Sequence, residues 1–106
     1  MSREVCVSCE IRSMLIMKDT LTQMGIDFNE VNKDEISIRR NYHNILINAA
    51  NGVGQITFDE MDLHQVNGIR QNYMTNFFKD QAIREGNQIQ EERNTQGQVI
   101  LHVLRG

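Results

Sequence analysis

Apolar and polar positions alternate from Val5 to Ile11, which predicts a strand, and the spacing changes directly after it. From Arg12 to Met24 the residues Ile11, Met14, Leu15, Met17 or Lys18, Leu21 and Met24 fall near one helical face, and Gly25 stands where a left-handed cap belongs. Asp27 to Val31 reads as a short strand, Asn32-Lys33-Asp34 as a polar turn, and Glu35 to Arg40 as a second strand with Ile36 and Ile38 inward. Ile45 and Ile47, the loop Asn51-Gly52-Val53-Gly54, and then Ile56 and Phe58 suit a hairpin. Asp62 followed by Gln65 has capping-box spacing, and Val66, Ile69, Tyr73 and Phe77, with Met74, Phe78 and Ala82 beside them, predict a long helix that Gly86 ends. A final hairpin runs from Gln88 to Arg93 and from Gln98 to Leu104. Its last strand is apolar on both faces, which predicts a central or covered position.

The two halves resemble each other. Lys18-Asp19 recurs as Lys79-Asp80, Gly25 as Gly86 and Glu30 as Glu91, all offset by 61 positions. The strand-helix-strand-strand order recurs as well, over residues 5–40 and 55–105, so an internal duplication is one reading and chance identity at amphipathic helices the other. Two such units predict an α+β fold in which a single antiparallel sheet carries both helices on one face.

Length and charge narrow the class. At 106 residues the chain is expected to form one domain, residues 1–106, with a single modest core built from its 40% apolar content. A formal charge of -3 removes the usual basis for non-specific nucleic-acid binding, so nucleic acid is not an expected partner. No apolar run approaches the roughly 18 residues of a membrane span, and Met1 to Val5 lacks an apolar signal core. A cytoplasmic location, in a host cytoplasm or plastid stroma, is therefore the expectation, and Cys6 and Cys9 are expected to be free thiols.

Candidate chemistry is sparse. Cys6-Val7-Ser8-Cys9 is a lone CxxC; zinc would need two more ligands from His43, His64 or His102, and residues three apart on a strand face opposite ways. The segment Arg39-Arg40-Asn41-Tyr42-His43 gathers two guanidiniums, an aromatic ring and an imidazole, a set that can hold a phosphate or carboxylate and stack on a flat ring. Arg70 and Tyr73, one helical turn apart, extend it. The plain alternative is a solvated strand end with Tyr42 over the core rim. Asn51 to Gly54 lacks the Lys-Ser/Thr of a phosphate loop, and Asp59, Glu60 and Asp62 suit a helix start better than a cation site. No serine sits in a nucleophile elbow. No catalytic residue, metal or cofactor is expected.

Ile69-Arg70-Gln71-Asn72-Tyr73, the helix end at Gly86, Glu91-Glu92, and Gly97 to Arg105 together resemble the hypothetical chloroplast reading frame thirty-five family, small proteins of algal plastids, cyanobacteria and some phages. Ile11-Arg12 through Leu21, Gly25 and Glu30 are similar to that family's opening. The resemblance implies fold and domain extent more than activity, because it brings no established catalytic residues with it. Together these readings predict a non-catalytic, oligomeric binding protein holding a small anionic, nucleotide-like ligand at Arg39, Arg40, Tyr42, His43, Arg70 and Tyr73. A phage-type protein that sequesters a signalling nucleotide is the concrete version. The alternative is a protein-binding adaptor that acts through an exposed strand or sheet face without a small-molecule ligand.

Overall fold

The computed structural model describes residues 3–50 and 53–105, so Asn51 and Gly52 of the expected glycine loop lie outside the described residues. The elements in chain order are β1 (Glu4–Cys9), α1 (Met14–Gln23), β2 (Asn29–Asn32), β3 (Glu35–Ile38), β4 (Ile45–Asn48), β5 (Gly54–Asp59), a 3-10 turn (Glu60–Asp62), α2 (Leu63–Arg84), β6 (Asn87–Arg93) and β7 (Val99–Arg105). The fold is α+β: a five-stranded sheet in the order β1-β5-β4-β3-β2, antiparallel throughout, and a separate β6-β7 hairpin.

Strand alternation builds one apolar face. Val7 is registered with Ile56, Ile56 with Ile47, and Ile47 with Ile36, so one cross-strand row joins four strands. Phe58, Ile45 and Ile38 extend the same face, and all three are buried. Onto it pack Met17 and Leu21 of α1 and Val66, Ile69 and Tyr73 of α2, in one core cluster. Both helices therefore cover one face of the sheet. The opposite face presents the row Cys6, Thr57, Leu46 and Ser37. Gly54 begins β5 beneath the end of β1, where a Cβ would fall on the Cys9 carbonyl oxygen and 2.6 Å from Ile11 Cγ1.

Local chemistry sets the helix ends. Ser13 caps α1, its hydroxyl accepting from the Ile16 amide at 3.2 Å, and Gly25 leaves the helix at φ 72°. The inward stripe of α1 is narrower than its sequence suggested: Met17, Thr20 and Leu21 are buried while Leu15 is 68% exposed. Thr20 belongs inside because its hydroxyl donates to the Ile16 carbonyl at 2.7 Å and accepts from Asn76 Nδ2 of α2 at 3.0 Å. The capping-box expectation fails at α2, where Asp62 occupies the cap position without a side-chain cap bond. Its carboxylate is engaged by Arg40 instead, and the capping bond forms three residues earlier, from the Met61 amide to Asp59 Oδ2 at 2.9 Å.

The two halves share a local construction and then diverge. Lys18 of α1 pairs with Glu30 of β2, and Lys79 of α2 pairs with Glu91 of β6 at 2.9 Å. The glycines between them, Gly25 and Gly86, both have positive φ. Each half thus turns from helix to strand through the same Lys, Gly and Glu positions. The single sheet expected from two units does not form, however: β2 and β3 join the main sheet through β4, whereas β6 and β7 pair only with each other. The last strand is therefore an edge and not a central strand, with Ile100, Val103 and Leu104 between 40% and 54% exposed.

Candidate functional site

The loop that leaves β3 and the loop that leaves α1 come together beside the start of α2. Between them lies a cavity of about 620 Å³, lined by Gly25 to Asn29, Ile38 to Asn41, and Gln65. Its position follows from the sequence. Gly25 turns the chain out of α1, β2 begins only at Asn29, and β3 ends at Ile38, so both loops stand off the sheet edge. Ile26, Phe28 and Ile38 supply apolar wall; Asn29, Asn41 and Gln65 supply amides; Asp27, Arg39 and Arg40 supply charge.

The two arginines are not equivalent. Arg40 directs Nη2 and Nε to Asp62 Oδ1 at 2.7 and 3.1 Å, and its backbone amide donates to Asn44 Oδ1 at 3.2 Å. It ties the loop to the start of α2. Arg39 lines the cavity, is exposed, and makes no ion pair or side-chain hydrogen bond among the described residues, so its five donors have no partner among them.

The remaining sequence candidates lie elsewhere. Tyr42 is 65% exposed on the same loop but does not line the cavity. His43 faces the sheet end, with Nδ1 3.6 Å from Glu4 Oε2 and Nε2 3.9 Å from Asp59 Oδ1. Glu4 and Asp59 are register partners on β1 and β5, and Asp59 Oδ1 is buried without a hydrogen-bond partner. Arg70 is half-buried on α2, away from the cavity lining. Tyr73 is 1% exposed, and its hydroxyl accepts from the Arg12 and Ser13 amides at 2.8 and 3.2 Å. Those donors belong to the cap residue Ser13 and the residue before it, so Tyr73 ties down the entry to α1 from a second helix.

The sequence set thus divides into a cavity pair, an exposed loop tyrosine, a sheet-end histidine, a half-buried helix arginine and a core tyrosine. The sequence marks Asn41 as part of the candidate segment, but it marks Gly25 only as a helix cap, Asp27 to Asn29 only as strand and Gln65 only as part of a helix start. The available signal was the alternation of Ile26 and Phe28 with Asp27 and Asn29 directly after a glycine cap.

Cys6 and Cys9 are free, with Cys6 exposed and Cys9 half-buried. No group of three His, Cys, Asp or Glu side chains suited to a metal ion occurs among the described residues. No helix among them is long and apolar enough to cross a membrane. The chain matches no known family, no curated protein and no solved structure.

Proposed function

We propose that this chain is a non-catalytic binding protein that holds a small anionic, nucleotide-like ligand in the cavity between the α1-β2 and β3-β4 loops. The observation that carries the reading is Arg39, an exposed arginine with no ion pair among the described residues, lining an approximately 620 Å³ cavity that also offers an aromatic wall and three amides. That volume lies within the roughly 300–1,000 Å³ typical of small-molecule sites. A guanidinium binds phosphate or carboxylate oxygens with two parallel N–H donors, and Phe28 gives a flat ring a surface. Asp27 adds an acceptor for donor groups at the other end of such a ligand. Sequestration suits this site better than turnover, since the described lining residues include no nucleophile and no paired general acid and base.

Thermal unfolding against a panel of nucleotides, with inorganic phosphate as the minimal probe, tests the reading. At least one nucleotide is expected to raise Tm. Arg39→Ala is expected to remove that rise while leaving the ligand-free Tm near wild type, because Arg39 is exposed and makes no ion pair or side-chain hydrogen bond among the described residues. A flat response across the panel, or a rise that survives Arg39→Ala, rejects the site.

A further inference from the structure

We propose that β7 pairs antiparallel with β7 of a second copy of this chain, about a two-fold axis that passes at His102. This interface goes beyond the ligand reading and does not depend on it.

The matching element order of the two halves shows what β7 lacks. Its counterpart in the first half, β3, is flanked on both sides, by β2 and by β4. β7 has only β6, and a two-stranded sheet is marginal in water until a third strand or a helix supports it. Helix α2 covers one face of the hairpin, around a groove of about 380 Å³ lined by Phe78, Ala82, Ile89, Leu101 and Val103. The other face leaves Ile100 and Leu104 at 40% and 48% exposure.

Charge selects the edge and the occupant. An edge strand is protected against pairing by charged side chains, bulges or brevity. β2 has all three, being four residues long, with a register shift between Glu30 and Asn32. The free edge of β6 carries Glu91, Glu92 and Arg93, and β1 carries Glu4 with Arg3 and Glu10 at its ends. From Val99 to Leu104, β7 carries no Asp, Glu, Lys or Arg, and its His102 already faces Glu92 at 2.9 Å. Self-pairing therefore opposes no like charges along that stretch, whereas β6 against itself would set acid against acid. Centred on His102, the strand is also self-complementary: Ile100 falls opposite the second copy's Leu104, and Leu101 opposite its Val103. Two-fold symmetry makes each of these pairs twice. The result is one four-stranded sheet, β6-β7-β7-β6, whose α2-facing side is continuous across the axis.

The test is a single-cysteine scan along Val99 to Leu104 in a Cys6→Ser, Cys9→Ser background, with sedimentation velocity on the wild-type chain. A dimer is expected, and mild oxidation should cross-link His102→Cys to itself in higher yield than any neighbour. Leu104→Lys, which replaces an exposed side chain, is expected to raise the dimer dissociation constant at least about tenfold, since two cross-strand pairs are lost together. A monomer at the highest soluble concentration overturns the proposal. So does a cross-linking maximum at another β7 position, a dimer unaffected by Leu104→Lys in a folded variant, or a monomer that instead pairs this edge with a different protein.

Discussion

Tyr73 is the residue at which sequence and structure part most informatively. An aromatic one turn from an arginine suggested a ligand platform, yet its ring is in the core and its hydroxyl ties down the entry to α1 through two amides. Tyr73→Phe keeps the ring and orphans both donors, so it is expected to lower unfolding free energy by about 1–3 kcal/mol, read from urea denaturation. A ligand role would leave stability unchanged. Gly54 carries a second residue-scale expectation. Because a Cβ there would press on the Cys9 carbonyl and the Ile11 side chain, Gly54→Ala must push β1 from β5 and is expected to cost roughly 3 kcal/mol. The same substitution at Gly68, where an added Cβ would meet Met24 Cε at an ordinary 3.7 Å, is expected to stabilise α2 slightly, since alanine is the better helix former.

At the scale of elements, the junction of α2 with the hairpin is electrostatic as well as apolar. The hydrogen bond from Lys79 holds the Glu91 carboxyl below the usual carboxylate range, with the charges of Lys79 and Arg93 acting in the same direction. A carboxylate depressed in the folded state stabilises it above the unfolded value of about 4.3, and that contribution is lost as pH falls through the lower folded value. Wild type and Glu91→Gln are therefore expected to differ modestly in Tm at neutral pH and to converge in strong acid. The pair is partly exposed, so the neutral-pH difference should also shrink in high salt. Most elements were legible in sequence because each depends on local signals: period-two isoleucines for β3 to β5, an apolar face and a glycine exit for α1, a long apolar stripe for α2. Strand partnership is not local. The apolar run from Val99 to Leu104 reads the same whether its neighbours come from its own sheet or from another molecule, so its edge position was not written in it. The cavity was half legible, through Arg39 and Arg40, because their loop is polar and contiguous. Its other wall, Gly25 to Asn29, alternates apolar and polar residues after the glycine cap, but its place beside Arg39 is set by the pairing of β2 with β3, which is not a local signal.

For the whole molecule, the division between sheet and hairpin sets how it opens. The Cα radius of gyration is 14.9 Å and the principal extents are 50 × 34 × 22 Å, against a radius of about 13 Å for a compact chain of this length. The excess reflects a hairpin that stands off the core, whose clustered buried residues all lie between Ile11 and Tyr73. Opening the hairpin exposes little of that cluster, so it should occur at lower free energy than global unfolding. Native-state hydrogen exchange is expected to show β6 and β7 amides exchanging through an opening with little denaturant dependence, while β4 and β5 amides follow the global transition. The proposed dimerisation through β7 would add a concentration term, because a partner that binds only the closed hairpin stabilises it by mass action. Protection in β7 should therefore rise with protein concentration while protection in β4 stays constant. Equal protection in both sheets would merge the hairpin with the core as one cooperative unit, and concentration-independent protection in β7 would leave its edge open to water.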